Sequence, residues 1–148
     1  MGSSLSIIYE LTPGRLFLAS LDHGSEIIAS ITALAKSLGI DAGVVTAIGA
    51  LERATIGYYD QEDHVYRRIE IDHPVEISSL SANISMRDGK PFLHVHATLA
   101  DSQGNVSGGH LSSGTVFAAE VYISELVGRP PTRSHDPTTG LFLWRQTH

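Results

Sequence analysis

The chain contains no cysteine. Disulfide frameworks, thiolate metal sites and cysteine nucleophiles are therefore excluded. Charge is also scarce: 18% of the 148 residues are Asp, Glu, Lys or Arg, against 42% hydrophobic residues, and a surface this poor in charge favours self-association. Basic residues are the minority, ten against sixteen acidic ones, for a net charge of −6. Affinity for nucleic acid comes largely from neutralising phosphates, so this balance argues against such a partner. Arg67-Arg68 is the one adjacent basic pair. No apolar run approaches the ~20 residues of a membrane span. Met1 to Tyr9 lacks the basic segment and long apolar run of a secretory signal. The expectation is a cytoplasmic chain with no membrane partner.

Glycine (14) and histidine (8) are what the chain has in quantity. Its length fits one domain, residues 1–148, with 128–148 as an extended C-terminal tail marked by Gly128, Pro130, Pro131, Pro137 and Gly140. Ile7 to Leu11 and Leu16 to Leu21 read as two strands divided at Pro13-Gly14. Ile27, Ile31, Leu34 and Leu38 recur at helical steps, with Asp22 or Ser25 as cap and Gly39 as the left-handed exit. From Ala42 onward the pattern is β-rich. One or two strands break near Gly49-Ala50, followed by Val65 to Ile71, Val75 to Met86, Pro91 to Leu99 and Val106 to Leu111. Thr115 to Leu126 is a last long strand whose imperfect alternation leaves a helix as the alternative. Leu141 to Trp144 is a further short strand or an apolar anchor. The fold class is α+β: a strongly twisted, largely antiparallel or mixed sheet with one main helix packed on it.

The chemistry concentrates in His94-Val95-His96 and Gly108-Gly109-His110. Histidines two apart in a strand share a face. If Ser102, Gln103 and Gly104 form a three-residue hairpin loop, Asp101 pairs with Asn105 and His96 faces His110. A two-residue loop would turn His110 to the other face. Without thiolates, three converging imidazoles suit zinc first, then nickel, copper or iron, with an open position for water or a carbonyl oxygen. The plain alternative is two exposed strand histidines and one core histidine. Gly108 and Gly109 leave room beside the ion for a ligand or an approaching backbone, or mark a bulge. Glu52, Glu76 and Glu120 are candidates for a fourth ligand or general base. Glu120, within an apolar stretch, must be paired, face a cavity or point to solvent. His23, His64, His73, His135 and His148 read as solvated.

These residues also carry a likeness. Asn83-Ile84-Ser85-Met86-Arg87-Asp88-Gly89-Lys90-Pro91-Phe92-Leu93-His94-Val95-His96 and Gly104-Asn105-Val106-Ser107-Gly108-Gly109-His110-Leu111 resemble the plant and prokaryote conserved (PPC) domain. So do Gly39 to Gly43, Ile48-Gly49-Ala50, Gly57 to Asp60 and Val75-Glu76-Ile77; Ala82 stands where the family tends to have glycine. The resemblance implies a compact α+β domain, a homotrimer, and His94, His96 and His110 as ligands of zinc. Plant members carry AT-hooks, which this chain lacks; Val127-Gly128-Arg129-Pro130 is half a match. The fold also resembles that of acetolactate decarboxylase, whose zinc is held by a comparable trio. By that analogy a metal-dependent lyase or hydrolase acting on a small oxygenated metabolite is implied, with Arg87 or Arg53 as a basic substrate anchor. The other readings are a DNA-associated or regulatory protein and a non-catalytic trimerisation module.

Overall fold

The computed structural model describes residues 6–145; His148 lies outside them. Along the chain run β1 (Thr12–Leu21), α1 (Ile27–Leu38), β2 (Gly43–Asp60), β3 (Val65–Ile71), β4 (Val75–Arg87), β5 (Lys90–Ala100), β6 (Val106–Val127), β7 (Thr132–His135) and β8 (Phe142–Arg145). This is the expected α+β architecture. The sheet order is β3-β2-β6-β5-β4-β7-β8, with β1 beside β6. Pairing also closes between β2 and β4, so β2, β6, β5 and β4 form a ring of strands. Among the described residues the pairs are antiparallel, except one parallel bridge from β7 to β4 at Met86 and Thr132.

The helix exists because its apolar stripe has a sheet to cover. Ile27, Ile31 and Ala35 are buried, with Leu34 and Leu38 packed at the margin. It lies against β5 and β6. Gly39 takes the left-handed exit as expected, its N–H bonding Ala35 and Lys36 carbonyls. The cap is neither Asp22 nor Ser25. Glu26 takes that place, its carboxylate accepting from the Ala29 N–H at 2.7 Å and the Gly114 N–H at 3.1 Å. One carboxylate thus ties the helix start to β6, a tertiary role that a local capping rule does not see.

Three strand boundaries differ from the sequence reading. Residues 7–11 are not strand, and β1 runs unbroken through Pro13-Gly14, with a register shift there. As an edge strand it tolerates the missing proline N–H. The break near Gly49-Ala50 is an irregularity inside one long β2. Val106 to Leu111 and Thr115 to Leu126 are one strand, β6, whose bulges explain the imperfect alternation. The 128–145 segment contains the β7–β8 hairpin, attached to β4.

The core lies on the helix side of the strands. Leu93, Val95, Ala97 and Leu99 of β5 and Leu111, Val116, Val121 and Ile123 of β6 are buried there. The alternate residues point outward, and the histidines are among them.

Candidate metal centre

The loop geometry decides the site. Asp101 N–H donates to the Asn105 carbonyl at 2.9 Å, and Gly104 has φ of 79°. The loop is therefore Ser102-Gln103-Gly104, with glycine in the left-handed position that other residues resist. The Asp101 carboxylate adds bonds from the Gln103 and Asn105 N–H groups at 2.8 and 2.9 Å. From that turn the register runs Ala100↔Val106 through His96↔His110. His94 lies one step further on the same face, opposite Asn83 of β4.

The three rings converge. Centroids of His94 and His96 are 5.1 Å apart, and each is 5.6 Å from that of His110. One ligand nitrogen of each lies within 4.8 Å of the others. Zn–N bonds are about 2.0–2.1 Å, so nitrogens sharing an ion sit no more than about 4.2 Å apart. His94 and His110 are half-buried and His96 is exposed. Among the described residues no hydrogen bond reaches any of the three, and His110 Nδ1 is buried without a partner. A buried polar nitrogen left unpaired costs roughly 1–3 kcal/mol, which a metal would remove. Burial, with the charges of Arg133, His96 and His110 added, lowers the His94 pKa to about 4. Burial beside His96 likewise lowers that of His110. Both favour the neutral imidazole that metal ligation requires.

The glycines prove to be about backbone approach. A Cβ on Gly109 would meet the Gly57 carbonyl oxygen at 2.6 Å, and one on Gly108 the Ala97 carbonyl oxygen at 2.9 Å. Their bareness lets β6 lie between β2 and β5 and so places His110. The carboxylates are elsewhere. Glu120 is exposed, opposite Ser20 and Ile48, ten residues along β6 from His110. Glu52 and Glu76 line a different cleft, with Leu51, Val75 and Phe117. Arg53 lies in another, with Glu26 and Glu70.

Arg87, at the β4–β5 turn, packs its guanidinium 3.4 Å from the Phe142 ring centroid. Sequence reasoning missed two neighbours of the trio. Tyr66 lays its ring 4.8 Å from that of His110, and its phenol pKa is raised by burial and by Tyr59. Arg133 is 8% exposed and donates to Ser85 Oγ at 2.8 Å and Asn83 Oδ1 at 3.0 Å. No local signal marks Arg133. It sits in a proline- and glycine-rich stretch, and its partners are 48 and 50 residues away.

Comparison with known proteins identifies relatives of the whole chain. A metal-containing protein from Archaeoglobus fulgidus, AF0104, is 45% identical, with TM-score 0.92 over 95% of this chain and all of that one. A plant- and prokaryote-conserved (PPC) protein from Pyrococcus horikoshii is 34% identical, with TM-score 0.91 over 97% of this chain and 99% of that one. Bifunctional protein GlmU from Synechococcus sp. (strain JA-2-3B'a(2-13)) is 31% identical over 88% of this chain, and the chain spans about a fifth of that relative's length. With residues 9–127 matching the Plants and Prokaryotes Conserved (PCC) domain, the chain belongs to that family.

Proposed function

We propose that His94, His96 and His110 hold a divalent transition metal, zinc foremost, beside a small-molecule site in a homotrimer. One observation carries the metal reading: three imidazoles each put a ring nitrogen within 4.8 Å of the others with no hydrogen-bond partner among the described residues, and His110 Nδ1 is buried unpaired. The likeness to a relative described as metal-containing supports it. A three-histidine ion supplies an open position that polarises a carbonyl oxygen or acidifies water. That is the chemistry of a lyase or hydrolase on a small oxygenated metabolite. The chain's own contribution is to keep His94 and His110 neutral and to shield His110 behind Tyr66.

The trimer reading rests on the outward face of β1, β6 and β2. Leu16 (79% exposed), Leu18 (74%), Val44, Ile48 and Tyr122 lie there on adjacent strands. A contiguous apolar face of this kind marks an interaction surface. It adjoins the histidines, because Asn83 pairs with Val44 on one side and His94 on the other. A nucleic-acid surface has less support. Arg15 is neutralised by Glu125, and Arg67 by Asp60 and Asp63.

Metal analysis of protein purified without a histidine tag, with light scattering for mass, tests both parts. The expected result is about one ion per chain in a trimer, falling below about a third in His110→Ala. A wild-type content below about a third, unchanged by His110→Ala, ends the metal reading. A monomer mass ends the trimer. A trimer that survives chelation excludes a purely structural role for the ion.

A further inference from the structure

We propose that Arg133 makes the face beside the three histidines a receptor for the carboxylate of a small organic acid. This rests on the metal-site reading and adds the chemical class of its ligand. Arg133 stands on β7, beyond residue 127, where the family match ends. Its guanidinium donates from Nε to Ser85 Oγ at 2.8 Å, from Nη2 to Asn83 Oδ1 at 3.0 Å and from Nη1 to the Phe142 carbonyl at 3.0 Å. All three acceptors are neutral. Arginine has five N–H donors, so two remain. Among the described residues no carboxylate pairs with this side chain, although it is 8% exposed. The charge that acts on it is another cation, Arg87.

A buried cation without a counter-ion is expensive, and proteins normally pair one. A merely mechanical strut between the β7–β8 hairpin and β4 would not need the charge. The position gives the charge a use. Asn83 faces His94 and Ser85 faces Phe92 in the β4–β5 register, so the guanidinium lies over the same face as the trio. It is near enough for its charge to act on His94. The Phe92 and Trp144 rings flank it at 5.4 and 5.5 Å. These apolar walls thin the water around it and strengthen its pull on an anion. A planar guanidinium with two spare N–H groups matches the two oxygens of a carboxylate. A doubly charged phosphate would ask for a second free cation, and Arg87 already has Asp88 at 3.8 Å. An acid bound here presents its remaining oxygens toward the histidines.

The test is an NMR titration of full-length protein, metal-loaded and metal-free, with lactate, its neutral counterpart lactamide, and inorganic phosphate. Lactate is expected to bind metal-loaded protein roughly 10- to 100-fold more tightly than lactamide, the worth of one charged hydrogen-bonded contact. Shifts should centre on Asn83, His94 and Arg133. Arg133→Gln should abolish the preference with metal content unchanged, and Arg133→Lys should weaken it by losing the fork. Equal binding of lactate and lactamide to the wild type overturns the proposal, and so does an undiminished preference in Arg133→Gln. Saturation by phosphate without lactate binding overturns the assignment to carboxylates. If Arg133→Gln does not fold, the wild-type comparison and Arg133→Lys decide. Metal content is read separately: if no ion is taken up, the metal reading fails alone, and lactate against lactamide on metal-free protein still judges the arginine.

Discussion

His23, in the turn between β1 and α1, and His110, on β6, behave differently. His23 is 63% exposed in its side chain, bonds the Phe117 carbonyl through Nδ1 at 2.9 Å, and meets Glu52 through Nε2 at 3.4 Å. Its ring also packs edge-on against Phe117. Both nitrogens have neighbours of ordinary kind. His110 is half-buried, meets two other imidazoles and a tyrosine ring, and has a buried Nδ1 with no hydrogen-bond partner among the described residues. The lesson is that residue type does not make a ligand. A candidate ligand is marked by a ring nitrogen that the rest of the protein has left unsatisfied in a place where that is costly.

The comparison can be pressed through stability. The largest effect expected is from acid on metal-free protein. His94 titrates at about 4 when folded and near 6.5 when unfolded. Between those values the unfolded chain binds a proton that the folded one refuses. The His94 contribution to stability is therefore lost as pH drops from about 6.5 to about 4; below that, carboxylates with lowered pKa values, Glu125 foremost, carry the further loss. For the half-buried His94 the loss is at most about 3 kcal/mol. Urea titrations across that range should show the slope, and His94→Gln should flatten it. A metal-free wild type with constant stability from pH 7 to 4 would break the contrast.

Next in size is Gly109→Ala. The added methyl meets the Gly57 carbonyl oxygen at 2.6 Å, so β2 and β6 must part. A loss of about 1–3 kcal/mol is expected by chemical denaturation, with weaker metal retention as His110 shifts. Unchanged stability would show that the strands separate freely and that the glycine does not position the histidine. The smallest effect belongs to His23→Ala, a surface site whose ring meets Glu52 in the open. Less than about 0.5 kcal/mol is expected, with metal content as in the wild type. A loss of metal there would erase the distinction between the two histidines.

The legible part of the site was local. Asp101, Gly104 and Asn105 suit a three-residue turn, and once the structure fixes that loop length, counting from it brings His96 opposite His110. The helix face was legible for a similar reason: Ile27 and Ile31 follow a helical period. The cap was not, because Glu26 is chosen by Gly114, 88 residues away. Nor was the continuity of β6, whose bulges against β2 disturb the alternation that marks a strand. Arg133 was hidden for the same reason as Glu26. Its bonds to Asn83 and Ser85 exist only once the β7–β8 hairpin has docked on β4.

The amino-acid order alone determined the absence of thiol chemistry, the α+β class, and a hairpin that points three imidazoles the same way provided its turn has three residues. Short-range rules suffice for these, since dihedral preferences and side-chain alternation act over a few residues. Tertiary structure alone decided that His110 keeps an unsatisfied buried nitrogen, that Gly108 and Gly109 serve close strand approach, and that Arg133 is a buried cation beside the trio. Burial and its electrostatic consequences depend on which distant segments exclude the water, and no local pattern encodes that.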